Sequence, residues 1–167
     1  MAIQKKICML GSFGVGKTSL VSQLVHSIFS EEYLTTIGVK IDKKDVSVDD
    51  VDLTLILWDL AGEDHFEHLK TTYLQGASAF ILVVDGCRMD TLRVAQNIVE
   101  TNSSLSGLPF ICAINKSDLK ADWEITNETI DDLKANGWDL KLTSAKSKDS
   151  TEELFIHLAK KIIKSSS

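Results

Sequence analysis

The chain is short of cysteine, of arginine and of long apolar runs, and each shortage excludes something. Its three cysteines, Cys8, Cys87 and Cys112, are odd in number, far apart, and each in or beside an apolar run. That is the usage of buried free thiols in a reducing, cytoplasmic compartment, not of a disulfide frame or a metal site. No apolar run approaches the roughly 20 residues that span a bilayer. The opening MAIQKKICML carries no long apolar stretch and no cleavage signal, so no secretory peptide is expected. Lipid signals are lacking as well: residue 2 is Ala2 rather than Gly, and Ser165-Ser166-Ser167 contains no terminal Cys. Against 24 acidic residues stand 18 Lys and Arg, a net charge of −6, which lacks the cationic footprint of a nucleic-acid binder. There is no internal repeat, low-complexity segment or linker. What is present is globular: 167 residues, 44% hydrophobic and 25% charged, the size of one domain, expected to span 1–167.

Apolar runs alternate with helix-like stretches, the pattern of an α/β protein. Ile7-Cys8-Met9-Leu10 reads as a short buried strand. Leu20, Val21, Leu24, Val25 and Ile28 recur at helical spacing and predict a helix over about 17–27. Residues 30–38 are polar and irregular, a surface loop. Val39–Val48 interleaves apolar residues with Asp42, Lys43, Lys44 and Asp45 and suits an exposed edge strand. Asp49-Asp50 is a hairpin turn into the strand over 52–58. Residues 79–84 and 110–114 are continuous apolar runs, as in central parallel strands covered on both faces. Leu92, Ala95, Ile98 and Val99 mark a helix between them. Gly137 stops a shorter helix that Thr126 can cap. Leu154, Phe155, Leu158, Ala159 and Ile162 give the last helix a core-facing stripe. The sum is about six strands and five helices: one mostly parallel, doubly wound sheet with one antiparallel edge strand.

Gly11-Ser12-Phe13-Gly14-Val15-Gly16-Lys17-Thr18 fits G-x-x-x-x-G-K-[ST], and it follows a strand and opens a helix, the context that gives the pattern meaning. Glycines let the backbone curl until successive N–H groups point inward at an anion. The helix start adds partial positive charge. Lys17 would reach terminal phosphates, and the Thr18 hydroxyl would take a place on Mg²⁺. A glycine-rich turn with a solvated lysine is the plainer alternative.

Asn115-Lys116-Ser117-Asp118 stands at the carboxyl end of the 110–114 strand, where α/β sheets bind ligands. A carboxylate there can accept two parallel N–H bonds from guanine. Adenine offers no such pair and would leave the acid unpaired. Alone, Asp118 is equally a helix N-cap. Together with the phosphate loop and Ser144-Ala145-Lys146, the set is specific.

These pieces, with Thr36-Ile37-Gly38 and Trp58-Asp59-Leu60-Ala61-Gly62, stand in the order and roughly the spacing of a small Ras-superfamily GTPase, and the chain resembles the Rab branch from about residue 6 to 163. The resemblance implies a P-loop NTPase G domain that binds GTP or GDP with Mg²⁺. It implies that Gly11, Phe13, Gly14, Val15, Gly16, Lys17, Thr18 and Ser19 surround the phosphates, and that Asn115, Lys116, Asp118, Ser144, Ala145 and Lys146 surround the base. Ala145 would offer a backbone N–H to the guanine oxygen, and Phe29 would pack on the guanine edge. Thr36 would ligate Mg²⁺ when the γ-phosphate is present. Asp59 would hold the ion through water, and the Gly62 amide would bind the γ-phosphate. For Phe29, Asp59 and Thr36 the plainer readings are core residue, turn former and loop hydroxyl.

Departures from the family's pattern concern hydrolysis. The position after Asp-x-x-Gly, usually a Gln that orients the attacking water, is Glu63. A carboxylate accepts from water but cannot donate to a phosphate oxygen, and when ionised it repels the γ-phosphate. The third loop position, usually small, is Phe13, whose ring crowds the space an arginine finger enters. Only two arginines exist, Arg88 and Arg93, neither in a switch region. Since an arginine finger accelerates such GTPases about 10³–10⁵-fold, turnover is expected to be slow. The catalytic set would then be Lys17, Thr36, Gly62 and the poor orienter Glu63. His65 is a weak substitute for it; His26, His68 and His157 look like helix-surface residues. The prenylated cysteines of Rab and Ras proteins have no counterpart among Lys160, Lys161 and Lys164: either the protein works without a lipid anchor, as some prokaryotic relatives do, or a tail lies beyond this sequence.

The expected activity is therefore a GTP/GDP switch whose loops over 30–38 and 60–72 are ordered by γ-phosphate and Mg²⁺ and form a face for protein effectors and regulators; candidate contacts on that face are Ile37, Val39, Trp58, Phe66, Leu69 and Tyr73, each equally a core residue. A GTP-binding scaffold with negligible hydrolysis is the alternative, and an ATP-dependent kinase or ATPase a third reading that Asp118 opposes.

Overall fold

A computed structural model describes residues 2–12, 14–25, 33–34, 39–60 and 71–166. Strand β1 (Ile3–Leu10) leads into helix α1 (Lys17–Val25), followed by β2 (Tyr33–Leu34), β3 (Val39–Val48) and β4 (Val51–Leu60). Then come α2 (Thr71–Leu74), β5 (Ala79–Asp85), α3 (Met89–Thr101), β6 (Phe110–Asn115), α4 (Asn127–Ala135), β7 (Leu140–Leu142) and α5 (Lys148–Ser165). The strands form one sheet in the order β2-β3-β4-β1-β5-β6-β7. β1 is parallel to β4 and β5, and β6 to β5 and β7; β3 is antiparallel to β4. The six expected strands and five helices are present, and the two-residue β2 adds a short antiparallel edge to β3. The chain belongs to the α/β class with a mostly parallel, doubly wound sheet.

Alternation along the central strands builds two cores, one on each face. Ile7 and Met9 of β1, with Ile81 and Val83 of β5, join Leu20, Leu24, Leu154, Phe155 and Leu158 on one side. Cys8 and Leu10, with Phe80, Leu82 and Val84, join Leu92, Ala95, Ile98 and Ile130 on the other. Every residue of β5 is buried, as its unbroken apolar run requires of a strand covered on both faces. Full burial of each Leu, Ile or Phe contributes roughly 1.5–3 kcal/mol against exposure, so the α1/α5 layer is held by its side chains rather than by helix propensity.

Local signals operate where the sequence places them. Asp49 and Asp50 both take positive φ, 51° and 65°, the backbone of a two-residue hairpin between β3 and β4. The Thr126 hydroxyl accepts from Thr129 N and caps α4, and Gly137 closes that helix at φ 89°. β1 begins four residues earlier than the apolar run suggested. Its polar start pairs with β4 from Ile3↔Leu53 onward, and Lys6 lays its stem along the sheet with Nζ 3.7 Å from the Trp58 ring. Cys8 and Cys112 are buried thiols as expected, whereas Cys87 is only half-buried, because the turn after β5 has already left the core. Among the described residues no helix is long and apolar enough to cross a membrane.

The consequence for function is a shared rim. Leu10 lies beside Leu82, Met9 beside Asp59, and Asp85 beside Asn115, so the carboxyl ends of β1, β5 and β6 emerge together. Connections leave β1 and β5 toward opposite faces, which opens a crevice between their ends.

Candidate functional site

The loop from Gly11 to Thr18 is shaped by close approaches of backbone. Gly11 has φ 148°, and a Cβ there would run into the Val83 carbonyl of β5. Gly16 has φ 106°, and a Cβ there would strike the Asn115 amide. Only glycine allows the loop to lie this tightly against β5 and β6. Val15 is fully buried and anchors the loop to the core. Leu20 N donates to Gly16 O at 2.9 Å, so α1 starts directly under the loop.

Lys17 is buried and folds back over this curl, its Nζ donating to Gly11 O at 2.5 Å and Ser12 O at 3.5 Å. An ammonium held by two loop carbonyls at a helix start has the charge and the place to meet an anion. Beside it the Thr18 hydroxyl donates to the Asp59 carboxylate at 2.6 Å, and Asp59 is fully buried at the end of β4. A hydroxyl and a carboxylate converging from two elements form the oxygen donor set that suits a small hard cation such as Mg²⁺. The chemistry of these donors therefore fits the ion the resemblance implies. Ser19 is exposed on the first turn.

The second half of the site follows β6. Asn115, buried at its end, donates from Nδ2 to Val15 O at 2.9 Å and accepts at Oδ1 from the Thr143 hydroxyl at 3.1 Å. Its side chain thus ties the phosphate-type loop to the loop after β7. Lys116 takes the left-handed conformation (φ 69°), and its carbonyl accepts from the Trp123 indole at 2.9 Å. Asp118 is no helix cap: its Oδ1 accepts from the Ser144 hydroxyl at 2.9 Å, and Lys146 Nζ lies 3.5 Å from Oδ2. The Ser144 hydrogen bond holds the Asp118 carboxyl below the usual carboxylate range, and Lys146 adds to it. An ionised acid that stays aimed at the crevice is what recognition of paired ring N–H groups needs. Ser144 also accepts from Lys146 N at 3.2 Å, while Gln23 of α1 donates to Ala145 O at 2.9 Å.

Expected residues Gly11, Gly14, Val15, Gly16, Lys17, Thr18, Ser19, Asp59, Asn115, Lys116, Asp118, Ser144, Ala145 and Lys146 thus come to one rim. Phe13, Phe29, Thr36, Gly62 and Glu63 lie outside the described residues, as do His26, His65, His68, Ile37, Phe66 and Leu69. Among the candidate effector contacts, the core alternative holds for two. Val39 and Tyr73 are core, 0% and 2% exposed, and Trp58 is half-buried with its ring edge-on to Tyr73 at 6.2 Å. Tyr73 is drawn inward because its hydroxyl donates to Trp58 O at 2.5 Å.

Four participants were not anticipated: Asp85, Arg88, Trp123 and Thr143. Asp85 is buried at the end of β5 and bonds Lys116 Nζ at 2.8 Å and Arg88 Nε at 3.2 Å. Burial pushes its carboxyl up, but Lys116, the Cys87 amide and Arg88 outweigh this and hold it below the ordinary value. A lone acid closing an otherwise apolar strand was the available signal. Trp123 and Thr143 carried none, since their roles depend on loops that meet only in three dimensions. His157, expected on a helix surface, is on α5 with Nε2 2.7 Å from Asp139. Among the described residues no three His, Cys, Asp or Glu side chains group as a metal site.

A doubly wound sheet with a glycine-lined, lysine-capped loop at its carboxyl edge defines a P-loop nucleotide-binding protein. Comparison with known proteins agrees and goes further. Residues 6–164 match the Ras family. Ras-related protein Rab7 of Glycine max is 32% identical over 168 residues, covering 93% of this chain and 80% of that protein. Ras-related protein RABG3f of Arabidopsis thaliana is 33% identical over 173 residues, covering 96% and 82%. Ras-related protein Rab-13 of Bos taurus is 30% identical over 161 residues, covering 95% and 79%. The chain belongs to the Ras family and is a Rab-like small GTPase, a GTP-binding switch by class.

Proposed function

We propose that residues 1–167 form one G domain that binds GTP and GDP through the rim just described, turns GTP over slowly, and presents two nucleotide-sensitive loops to effectors and regulators. The carrying observation is the Asn115 side chain, which fastens the phosphate loop at Val15 to the strand that bears Asp118. Phosphate and base would thereby be gripped by one rigid frame.

In this reading the amides of residues 11–18 and the Lys17 ammonium hold the polyphosphate, and Asp118, steadied by Ser144, reads guanine. Ala145 offers its N–H to the guanine oxygen, and Phe29 covers the base edge. Thr18, Thr36 and Asp59 would hold Mg²⁺, which would supply charge neutralisation to the polyphosphate. Water attacks the γ-phosphoryl in line, and Lys17 with the loop amides, including that of Gly62, stabilises the charge that develops. Glu63 orients the water poorly because an ionised carboxylate has no donor for the phosphate oxygen, and Phe13 crowds the approach of an activating arginine. Effector contacts rest on the loops over 30–38 and 60–72, since Val39 and Tyr73 are spent on the core.

Phe13 and Glu63 also favour the second reading, a GTP-loaded scaffold with negligible hydrolysis. Single-turnover hydrolysis of [γ-³²P]GTP separates the two. The switch predicts slow but measurable release of phosphate that Glu63→Gln accelerates; the scaffold predicts none in either protein. Turnover as fast as that of a Gln-bearing relative refutes the slow enzyme. Identification of the nucleotide that co-purifies, with GTP against ATP competition, tests guanine recognition itself.

A further inference from the structure

The turn after β5 carries a cation, Arg88, that the nucleotide reading above does not use, beside Lys116 of the base loop. β5 is apolar until Asp85, whose carboxylate gathers the turn. Oδ1 accepts from Cys87 N at 2.9 Å, and Oδ2 takes Lys116 Nζ at 2.8 Å and Arg88 Nε at 3.2 Å. Arg88 N donates to Asp85 O at 2.9 Å, so the turn fixes the base of the arginine as well as its middle. One carboxylate thus faces two cations, Lys116 and Arg88, with Glu124 Oε1 accepting from Met89 N at 2.9 Å on the far side of the turn.

The direction of the Arg88 charge is set by the guanidinium's planar fork. With Nε engaged by Asp85, Nη2 extends toward the phosphate loop and lies 3.5 Å from the position a Cβ on Gly14 would take. Gly14 is exposed, at φ 77°, in the middle of that loop. The Arg88 side chain is 43% exposed and Asp85 3%, so a buried anion holds a cation whose far end is at the mouth of the crevice. An exposed ion pair by itself contributes little to stability, so the pair makes better sense as a means of aiming the cation. A guanidinium is suited to such a post because it stays charged, is pre-organised and matches phosphate oxygens.

We propose that Arg88 is a phosphate-facing cation that slows the release of guanine nucleotide, steadied by Asp85 across the edge of the phosphate loop. The proposal rests on the reading of the rim as a nucleotide site. It differs from an arginine finger, because Arg88 approaches at Gly14 and acts on retention.

The test is release of mant-GDP in Mg²⁺, chased with excess GDP, for the unaltered chain, Arg88→Gln and Arg88→Lys. Removing a partly screened charge at this range should speed release about three- to tenfold at low salt. Between about 0.05 and 0.5 M salt the Debye length falls from roughly 14 to 4 Å, so the ratio should shrink toward one. Arg88→Lys keeps the charge but has a single ammonium that cannot both hold Asp85 and face the loop, so its release should fall between that of the unaltered chain and that of Arg88→Gln. Preference for GDP over inosine diphosphate, which reports on the base loop, should not change in either variant. Release by Arg88→Gln equal to that of the unaltered chain at low salt overturns the proposal. So does faster release that ignores salt and is accompanied by lost GDP preference, the mark of a merely structural part. An unaltered chain that retains no mant-GDP overturns the nucleotide reading, and the proposal with it.

Discussion

Asn115→Ala puts the frame of the site under direct strain. Asn115 is 2% exposed, and its two side-chain bonds end on groups that are themselves fully buried, the Val15 carbonyl and the Thr143 hydroxyl. Truncation removes both bonds and strands both partners. A stranded buried polar group costs about 1–3 kcal/mol, so the loss should be about 2–4 kcal/mol once partial relaxation is allowed. For a domain of this size that is a fall in Tm of roughly 5–15 °C. The measurement is urea unfolding followed by tryptophan fluorescence, with the slope checked so that a shift in midpoint reports stability alone. The same substitution unties the phosphate loop from β6, so release of mant-GDP should quicken well beyond what an equally destabilising change elsewhere produces; Ile130→Ala in α4 is a fit control. A midpoint within about 0.5 kcal/mol of the unaltered protein would refute the claim that Asn115 is a structural tie.

Further outcomes are expected elsewhere. Asp118→Asn should weaken GTP binding at least about tenfold, because the acceptor pair for guanine is lost, and calorimetry reporting unchanged affinity would remove Asp118 from the base site. Burial pushes the Cys8 and Cys112 thiols up to about 12; desolvation and the Asp85 carboxylate raise Cys87 as well, but it alone is half-exposed, so a thiol reagent at pH 8 should modify one of three cysteines in the folded protein, slowly, and all three in denaturant. Burial pushes the Asp139 carboxyl up, but His157 and Lys161 outweigh it and hold it below its usual 3.8. A carboxyl depressed by folding contributes stability above that value and loses it as pH falls through the folded pKa. Asp139→Asn should therefore unfold more easily at pH 7, and its deficit should close as the medium is acidified below about pH 4, as thermal melts across pH would record. Thr126→Ala removes the cap of α4 and should cost about 1 kcal/mol by urea unfolding.

The parts legible in the sequence were those whose cause is local. A strand that is apolar throughout must be covered on both faces, and the 79–84 run announces this without reference to the rest of the chain. Asp49-Asp50, Thr126 and Gly137 each dictate backbone geometry within a few residues. The phosphate-type loop is legible for the same reason, since glycine spacing and a following helix suffice. Whether Val39 and Tyr73 were contact or core stayed open in the sequence because burial is a property of layers: each belongs to a core that is completed by α3 and β5. Asp85, Trp123 and Thr143 escaped because their partners lie 3 to 31 residues away across loops that only the sheet order brings together.

Arg88 illustrates why absence from a motif is weak grounds for dismissing a residue. Counting arginines finds two and places neither in a switch loop. The sheet order then sets β5 between β1 and β6, so the turn that follows β5 must emerge between the phosphate-type loop and Lys116. Any cation within three residues of that strand's end is delivered to the rim by topology alone. Asp85 decides which way it faces: without a buried carboxylate at the strand end, an arginine in this turn would extend into water. The placement of this cation is thus a product of strand order and one acid, and moving Arg88 even one residue along the turn, as in an Arg88→Met/Met89→Arg exchange, should break the Asp85 pair and forfeit whatever retention the charge confers.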